Sequence, residues 1–395
     1  MMRILVLSHK PPYPIVDGGC LAMSRFLLDL SELNRVEKID YLTLSTHKHG
    51  FIASAYEQLN LPNVSFQGIS IDTKIKLFPA FFSLLTRKSY HTKRFFQPHV
   101  AELLKEKLIS NNYDVVIFES LYAAIYTPMI RTVFQGKICY RSHNLEFRIW
   151  EDLAKNEKNP IKAWYVNQLA KSLEKEERTI WNQVDVILPI SQGDTDFIKK
   201  ATKTKVHYLP SSMPQNSKEI LWTENRLCFL GAFDWEPNME AVKWFIDEIF
   251  PVLLKDNPTL EFHIAGRKST EIPTEYQRKN VMIHGFVEDP LEFIAENGLF
   301  VAGLQSGSGI KMKILEAMSI GAPCVLTTKA AEGLSIESII PVHENKESFI
   351  SDIQALLNNR EKCIQRGEFG KQYIQTHFSS ELVHEILEEQ FLPSV

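Results

Sequence analysis

The chain has little of what marks several common protein classes. Its 395 residues include five scattered cysteines without any C-x-x-C spacing: Cys20, Cys139, Cys228, Cys324 and Cys363. An odd number of dispersed cysteines is typical of a reduced, cytosolic protein without disulfides or structural zinc. No apolar run approaches the ~20 residues of a membrane-spanning helix, and the apolar stretch at the N-terminus is too short for a signal peptide. We therefore expect a soluble, cytoplasmic protein.

Basic charge and the common cofactor motifs are also missing. The formal net charge of -4 argues against a general nucleic-acid binder, whose binding surface is basic. Neither G-x-G-x-x-G nor G-x-x-x-x-G-K-[ST] occurs, which argues against a simple dehydrogenase and a P-loop enzyme. The absence of H-E-x-x-H, of an EF-hand loop and of a Cys/His cluster predicts that no metal and no cofactor is bound.

What the chain does contain is a regular alternation of short apolar runs with longer helical patterns, which predicts α/β domains with parallel sheets. A chain of this length exceeds one hydrophobic core, so we expect two Rossmann-like, doubly wound domains. The polar, proline-containing segment 211–224 lacks periodicity and is the predicted linker. It separates a domain over 1–210 from a domain over 225–378.

The predicted strands follow this division. In the first half they are Arg3–Leu7, Ile39–Leu44, Val64–Gln67, Val115–Phe118, Lys137–Tyr140, Val184–Leu188 and Val206–Tyr208. In the second half they are Leu227–Leu230, Glu261–Ala265, Val281–Ile283, Leu299–Val301 and Cys324–Thr327. A long charged helix from about Ile161 to Asn182 is interpreted as a solvated amphipathic face. Ligands of such sheets bind at the carboxyl ends of the strands.

The most informative segment is a glycine-rich turn at 307–309 followed by a predicted helix from Ile310. Free N–H groups at a helix N-terminus favour phosphate. Because Cβ atoms tilt toward the N-terminus, the Glu316 carboxylate would lean toward the bound group, which suggests a nucleotide. On a helical wheel Lys311 falls within the apolar arc and is expected to point into a cleft. Lys313 and Glu316 share the other side, where a surface ion pair is the alternative.

Two loops after strands are further candidates. Gly18 and Gly19 follow the first strand and open a helix, so a ligand can approach the backbone there, although a plain turn explains them equally well. His143 follows the strand Lys137–Tyr140 and titrates near neutrality, so it can serve a substrate or be a structural residue.

Two other segments have competing interpretations. Asp194 and Asp196 form a D-x-D sequence that resembles a metal site, but they open a helix, where acidic residues favour the first turn. The apolar and basic stretch 74–96, which includes Arg94, suits an anionic lipid surface or a lipid-linked diphosphate. A core helix with a solvated end is the alternative.

Together these residues resemble the retaining GT-B glycosyltransferases of family four, the group 1 glycosyltransferases. The similarity spans nearly the whole chain and is carried by the following segments in order: the loop from Pro11 to Gly19, Ser142-His143-Asn144, the segment from Phe229 to Asn238, His263 to Arg267, His284 to Val287, Gly307 to Met318, and Ala331 to Leu334. Its Gly-Ser-Gly-x-Lys-x-Lys sequence is a variant of the paired-Glu motif of that family.

The resemblance implies two domains that face each other across a cleft, with the last helix (379–395) returning to the first domain. It implies transfer from a nucleotide-sugar donor, with retention and without metal. The implied catalytic residues are His143, beside the reacting sugar, and Lys311, beside the departing phosphate. The implied donor-binding residues are Gly18, Gly19, Gly266, Arg267, Phe286, Ser308, Gly309, Ile310, Met312, Lys313 and Glu316, with Glu316 on the ribose. Tyr13, Asp17 and Arg94 are assigned to the acceptor side.

Two departures from the family pattern matter. Ser308 stands where the first Glu of the paired motif is expected, and Ala232 and Pro237 replace an Arg and a Lys that balance the departing diphosphate. Lys311 is the predicted replacement cation, with Lys313 and Arg267 as further candidates. These departures keep open a second hypothesis, a non-catalytic partner protein that binds a nucleotide sugar or a glycan.

The expected acceptor is a glycan or a lipid-linked oligosaccharide of surface polysaccharide synthesis. The aromatic and basic stretch favours this, since it suits an anionic headgroup. Peripheral contact with the anionic inner face of the membrane is part of the same hypothesis, and no nucleic acid is expected as a partner.

Overall fold

The computed structural model describes residues 1–74, 90–214, 218–307 and 309–391. The chain groups into two compact units. The first unit comprises Met1–Ile15, Gly19–Ser211 and Val383–Val395, and the second comprises Val16–Gly18 and Ser212–Leu382. Among the described residues, no helix is both long and apolar enough to cross a membrane.

Each unit contains one sheet of parallel strands. The first sheet has the order β3-β2-β1-β4-β5-β6-β7, and its strands are β1 (Met2–Ser8), β2 (Val36–Ser45), β3 (Val64–Ser70), β4 (Val115–Glu119), β5 (Lys137–Ser142), β6 (Val186–Pro189) and β7 (Lys205–Val206). The second has the order β10-β9-β8-β11-β12-β13, with β8 (Arg226–Leu230), β9 (Glu261–Ala265), β10 (Val281–Ile283), β11 (Leu299–Ala302), β12 (Cys324–Thr327) and β13 (Val342–His343).

Helices connect these strands. In the first unit and at its border they are α1 (Gly18–Glu32), α2 (Ser54–Glu57), α3 (Tyr90–Lys93), α4 (Pro98–Ser110), α5 (Leu121–Ala124), α6 (Thr127–Ile130), α7 (Glu146–Asn156), α8 (Pro160–Trp181) and α9 (Gln192–Ala201). Later in the chain they are α10 (Glu236–Trp244), which continues through a π-helical turn into α11 (Phe250–Asp256), then α12 (Pro290–Asn297), α13 (Met312–Ser319), α14 (Lys346–Leu357), α15 (Arg360–His377) and α16 (Ser380–Phe391).

The first sheet is buried on both faces. Successive side chains of a strand point to opposite faces, so Leu5 and Leu7 of β1 pack into one hydrophobic cluster and Ile4 and Val6 into another. Strands buried on both sides read as continuous apolar runs, which is why β1 and β4 were recognisable from the sequence.

The last helix, α16, packs within the first unit. Val383, Leu387 and Phe391 are spaced four residues apart, lie on one side of the helix and join the cluster that contains Ile4 and Val6. The Nζ atom of Lys137 donates a hydrogen bond to the backbone oxygen of Gln390 at 2.5 Å.

The predicted α/β class and the parallel strands are confirmed, each predicted strand overlapping an observed one. The sequence missed β13, since two residues carry no periodic signal. The long helix α8 is amphipathic, as its sequence suggests, with one exposed and one buried side. It buries Leu169, Leu173 and Ile180 along one side, with the Glu177 carboxyl among them.

Candidate functional site

The second unit brings its glycine-containing loops to one edge of the sheet. These loops follow five neighbouring strands, β10, β9, β8, β11 and β12, at their carboxyl ends: His284 to Phe286, Gly266 and Arg267, Gly231 to Asn238, Gly303 to Lys311, and Thr328 to Gly333. Carboxyl ends of parallel strands are where open α/β sheets bind ligands. The sequence motifs therefore meet in one place within this unit.

The helix of the glycine-rich segment begins at Met312, two residues later than expected. Lys311 is its N-cap residue and has an extended backbone. Lys311 therefore lies outside the helix, so the helical-wheel argument does not apply to it, and its orientation toward a cleft stays a prediction. Gly307 and Gly309 have positive φ angles of 93° and 76°, which suit glycine and turn the chain into the helix. Ser308 lies outside the described residues.

Lys313 is held inside the unit rather than in a surface ion pair with Glu316. Its Nζ atom donates to the side-chain oxygen of Asn238 at 2.5 Å and lies 4.0 Å from the centre of the Phe229 ring. Asn238 is itself oriented by a bond from its Nδ2 to the backbone oxygen of Ala232, at 2.8 Å. Lys313 thus reaches the loop in which Ala232 and Pro237 replace the expected basic residues.

Lys311 lies close to Lys313 but has its own partners. Its Nζ donates to the Gly309 carbonyl at 2.6 Å and contacts the Glu332 carboxylate at 3.3 Å. Burial lowers the pKa of Lys311 to about 8, although the negative charge of Glu332 acts to raise it. Burial, and then the charge of Lys311, lower the pKa of Lys313 to about 7. Two crowded, partly desolvated ammonium groups of this kind favour the approach of an anion.

Backbone geometry makes two further glycines of this edge hard to replace. Gly333 has a φ of 87°, and a Cβ atom there would lie 2.9 Å from a side-chain carbon of Ile310. Gly266 has a φ of 124°, and its Cβ would lie 2.0 Å from the carbonyl oxygen of Gly231. The loops after β9 and β12 are therefore packed tightly against their neighbours.

The remaining predicted donor residues of this unit have different surroundings. The Arg267 guanidinium pairs with Asp234 at 3.0 Å, so its charge is already partly balanced. The Phe286 ring is 64% exposed and is available to a ligand. Glu316 lies on α13, one turn beyond Met312, with a partly buried side chain.

The predicted residues near the N-terminus lie around the start of α1. Gly18 and Gly19 are its first two residues, as expected from the sequence, and Asp17 directly precedes them. Tyr13 stacks edge-on against Tyr56, with ring centres 5.7 Å apart, and burial raises the pKa of its hydroxyl. Their predicted roles toward a donor or an acceptor stay predictions.

In the first unit His143 belongs to a buried polar network. Its Nε2 lies 2.5 Å from the Glu119 carboxylate, and Arg141 contacts the same carboxylate oxygen at 3.1 Å. Arg141 is fully buried, also donates to Ser211 at 2.9 Å, and lies over the Phe26 ring. The His9 ring is 6.1 Å from that of His143, centre to centre. Glu119 and Arg141 end neighbouring strands, β4 and β5.

The pKa shifts of this network have opposing causes. Burial raises the pKa of Glu119, but the charge of Arg141 and the hydrogen bond with His143 outweigh it and leave the pKa lowered. Burial lowers the pKa of His143, against the attraction of Glu119. Sequence reasoning missed Glu119 and its link to Arg141. The available signal was a charged residue soon after each of two predicted apolar strands, Val115–Phe118 and Lys137–Tyr140.

Next to this network lies a pair of buried carboxyl groups that the sequence did not indicate. Burial, followed by the charge of Glu146, raises the pKa of Glu177 well above its usual range, and Tyr140 donates to Glu177 at 3.2 Å. Burial raises the pKa of Glu146 to about 7, and Tyr122 donates to it at 3.0 Å. Burial therefore disfavours the charged form of Glu177 in the core.

The D-x-D sequence lies at the start of a helix that Ser191 caps. Asp194 and Asp196 lie in the first turns of α9, where the Ser191 hydroxyl accepts from the Asp194 amide at 3.1 Å and Gln192 donates to Asp196 at 2.8 Å. In the part of the chain that the structure describes, no group of three or more His, Cys, Asp or Glu side chains is arranged to hold a metal ion.

The acceptor-side candidate Arg94 lines a cavity in the first unit together with His9, Lys10 and residues 46–49. It donates to the Thr73 carbonyl at 3.1 Å and lies 3.2 Å from His91. Most of the apolar and basic stretch, residues 75–89, lies outside the described residues, so its membrane and core alternatives stay open.

Comparisons with known proteins agree with this geometry. Residues 224–359, which include β8–β13 and α13, match the family model described as Glycosyl transferases group 1. A Klebsiella pneumoniae protein, described as an uncharacterized 44.6 kDa protein in the cps region, is 23% identical over 351 residues, which are 84% of each chain.

Solved structures share the whole fold at low identity. Sucrose-phosphate synthase of Thermosynechococcus elongatus has a TM-score of 0.71 and 14% identity, with 99% of this chain and 98% of that one covered. HepE of Anabaena, in complex with UDP and glucose, has a TM-score of 0.66 and 12% identity, with 99% of both chains covered. The fold is GT-B. Together with the family match, it supports the resemblance to the group 1 glycosyltransferases.

Proposed function

We propose that this protein is a retaining, metal-independent glycosyltransferase. It moves a sugar from a nucleoside diphosphate sugar, held by the second unit, to an acceptor hydroxyl. The observation that carries the proposal is the positive charge of two largely buried lysines, Lys311 and Lys313, beside the N-terminus of α13, of which the Glu332 carboxylate balances a part. That charge lies within the residues that match the group 1 glycosyltransferase model.

The donor diphosphate is the anion that this charge suits. A sugar diphosphate bound at the tip of α13 would accept hydrogen bonds from backbone N–H groups of the first turn and from the two ammonium groups. Lys313 supplies the charge that Ala232 and Pro237 do not, since Asn238 holds its Nζ over that loop. Glu316 would accept hydrogen bonds from the ribose hydroxyls.

Both cations act mainly on the transition state. Negative charge grows on the leaving phosphate as the glycosidic bond breaks and the sugar becomes oxocarbenium-like. Fixed positive charge in a partly desolvated site stabilises that growing charge more than it stabilises the bound substrate. As the bond between the anomeric carbon and the phosphate oxygen breaks, the acceptor oxygen bonds to that carbon on the same face and gives its proton to the leaving phosphate. This retains configuration without a protein nucleophile. His143 remains the proposed polar partner of the reacting sugar.

Surface polysaccharide synthesis is the proposed setting. It is supported by the relative in the cps region of Klebsiella pneumoniae and by the basic residues of the first unit. Among the solved structures, HepE binds UDP and glucose, which makes a uridine diphosphate sugar the first donor to test.

The test is a panel of nucleotide sugars with the full chain. Thermal stabilisation identifies the donor, and NMR of the anomeric proton in product or hydrolysed sugar identifies the stereochemistry. Lys313→Met and Glu316→Ala are expected to lower turnover by at least about 100-fold, as loss of one transition-state partner does. Lys268→Met, on an exposed lysine of the same unit, is the matched control. Inversion of the anomeric centre would contradict retention. Donor binding without transfer or hydrolysis would support the non-catalytic hypothesis.

A further inference from the structure

A cavity of about 250 Å³ in the first unit lies at the carboxyl ends of three adjacent strands. His9 and Lys10 follow β1, residues 46–49 follow β2, and Thr73 follows β3, while Arg94 and Phe95 close it from beyond α3. Its volume is several times the roughly 30 Å³ share of one water molecule. This is the position at which a doubly wound sheet binds a ligand.

The lining of this cavity is cationic. The described residues that line it are His9, Lys10, Thr46, His47, Lys48, His49, Thr73, Arg94 and Phe95. Two of them are lysines, one is an arginine and three are histidines, and no Asp or Glu stands among the lining residues that the structure describes. A chain with a formal net charge of -4 therefore concentrates positive charge here, which attracts an anion over distances of about one Debye length.

The arrangement is partly preorganised. The Thr73 carbonyl fixes one terminal nitrogen of Arg94, and His91 contacts the other. Burial and the charge of Arg94 lower the pKa of His91 to about 4, which favours the neutral ring that can accept a hydrogen bond from the Arg94 guanidinium. Lys48 is exposed at the rim and remains free to move toward a ligand.

The charge of the lining selects the ligand class. A carboxylate carries one negative charge, whereas a phosphate monoester carries about 1.5 to 2 at pH 7 and offers three acceptor oxygens. Three cations with additional imidazole and hydroxyl donors match a phosphate or diphosphate better than a single carboxylate. Guanidinium and ammonium groups are also the side chains that proteins use for phosphate.

The cavity adjoins the network of His143. His9 lines the cavity, contacts the Glu119 carbonyl through Nδ1 at 3.2 Å and lies against the His143 ring. We propose that this cavity binds a phosphate group carried by the acceptor and thereby positions the acceptor hydroxyl near His143. This inference rests on the proposed function, because it assigns the acceptor to the first unit.

Calorimetric titration with defined probes tests the site. Farnesyl diphosphate stands for a lipid-linked diphosphate and glycerol 3-phosphate for a phosphate within a glycan, with farnesol and glycerol as uncharged counterparts. All titrations use the full chain carrying Lys313→Met, so that the proposed donor site does not take the probes. At least one phosphate probe is expected to bind, and its uncharged counterpart is expected not to bind. The phosphate probe that binds more tightly identifies the acceptor phosphate as that of a lipid-linked diphosphate or that of a glycan.

Variants of the lining make the result specific. Lys48→Gln should weaken binding of that probe about tenfold, and adding Lys10→Gln should weaken it further, while Lys48→Arg restores most of the affinity. Lys200→Gln, on an exposed lysine of α9, is the matched control and should leave binding unchanged. The affinity should also fall as salt rises.

Two results would overturn the site. One is that neither phosphate probe binds, and the other is that Lys10→Gln and Lys48→Gln leave affinity unchanged. Donor stabilisation in the chain with native Lys313 is measured separately. If a phosphate probe binds the cavity but no nucleotide sugar stabilises the protein, only the proposed transfer reaction is contradicted. If a nucleotide sugar stabilises the protein but no phosphate probe binds the cavity, only this inference is contradicted.

Discussion

Single residues decide the electrostatics of both candidate sites. Lys313 has a hydrogen-bond partner and an aromatic ring beneath its ammonium group, yet burial and Lys311 still bring its pKa to about 7. A bound diphosphate would favour the charged form of this lysine. Donor affinity and protonation of Lys313 are therefore coupled.

This coupling predicts a pH dependence of donor binding. Below pH 7 Lys313 is charged and binds the diphosphate directly, whereas above pH 7 the site must first take up a proton. Donor affinity should therefore fall by up to about tenfold per pH unit between pH 7 and 9, and binding should consume protons in that range. Calorimetry in buffers of different ionisation enthalpy measures this uptake. Lys313→Arg, whose side chain keeps its charge, should show less dependence, and an equal dependence would contradict the assignment to Lys313.

The lowered pKa of Lys313 also predicts that this lysine decreases the free energy of unfolding. Its pKa is lower in the folded protein than in the unfolded chain, so the unfolded state binds more protons between about pH 7 and 10. Stability of the native protein relative to Lys313→Met should rise with pH across this window. Allowing for partial exposure, we expect a gain of about 1–2 kcal/mol, measured by denaturant unfolding at each pH. A flat difference between the two proteins would contradict the pKa shift.

Replacing Glu119 should decrease the stability of the folded protein. Glu119→Gln removes the negative charge that Arg141 contacts in the core and leaves a buried guanidinium without its counter-charge. Breaking a buried pair in this way costs about 3–5 kcal/mol. Glu102→Gln, in an exposed pair with Lys105, should cost under about 1 kcal/mol and is the control. Equal losses for the two variants would show that the buried network is not an ion pair.

At the scale of secondary-structure elements, the start of α13 determines where Lys311 and Lys313 lie. With the turn at Gly307 and Gly309, α13 begins at Met312, so Lys311 occupies the N-cap position and Lys313 lies within the first turn of the helix. Phosphate-binding N–H groups are those of the first turn, which shifts the proposed contact by two residues along the chain. A periodic pattern alone does not fix such a boundary.

The last helix, α16, is expected to stabilise the first unit. Leu387 of α16 is fully buried in the cluster of the first unit. Leu387→Ala should destabilise that unit by about 2–5 kcal/mol, because it removes buried methyl groups and leaves a cavity. Glu385→Ala, on an exposed position of the same helix, should change stability by less than about 0.5 kcal/mol. Proteolysis of the first unit at low denaturant would detect the difference, and equal protease resistance of the variants would contradict the packing.

For the whole molecule, the central prediction is that donor binding protects the second unit. A ligand at 100 times its dissociation constant stabilises the folded state by about 2.7 kcal/mol. Hydrogen exchange should slow first in the loops after β8, β9 and β11 and in α13, where the donor is proposed to bind. Lys313→Met should remove this protection. If the donor slowed hydrogen exchange in the first unit only, the proposal that the second unit binds the donor would be contradicted.

The sequence by itself determined the fold class, the positions of all strands but β13, and the segments in which a donor is proposed to bind. Continuous apolar runs, glycine turns and their order survive as local signals, and parallel strands bring the ends of those runs to one edge. The burial of Glu177 was not predicted, because the sequence pattern of an amphipathic helix does not show which charged residue is buried. Ser308 and the stretch 75–89 stay sequence-based predictions.

Only the tertiary structure decided which charges meet. The contacts of Lys313 with Asn238 and of Glu119 with Arg141 join residues 75 and 22 positions apart. The cationic cavity gathers side chains from the ends of three strands. Local patterns do not encode such pairings, because hydrogen bonds and pKa shifts depend on distances set by the packing of whole elements. The sequence therefore determined where the ligands are expected to bind, and the packing decided which residues can bind them.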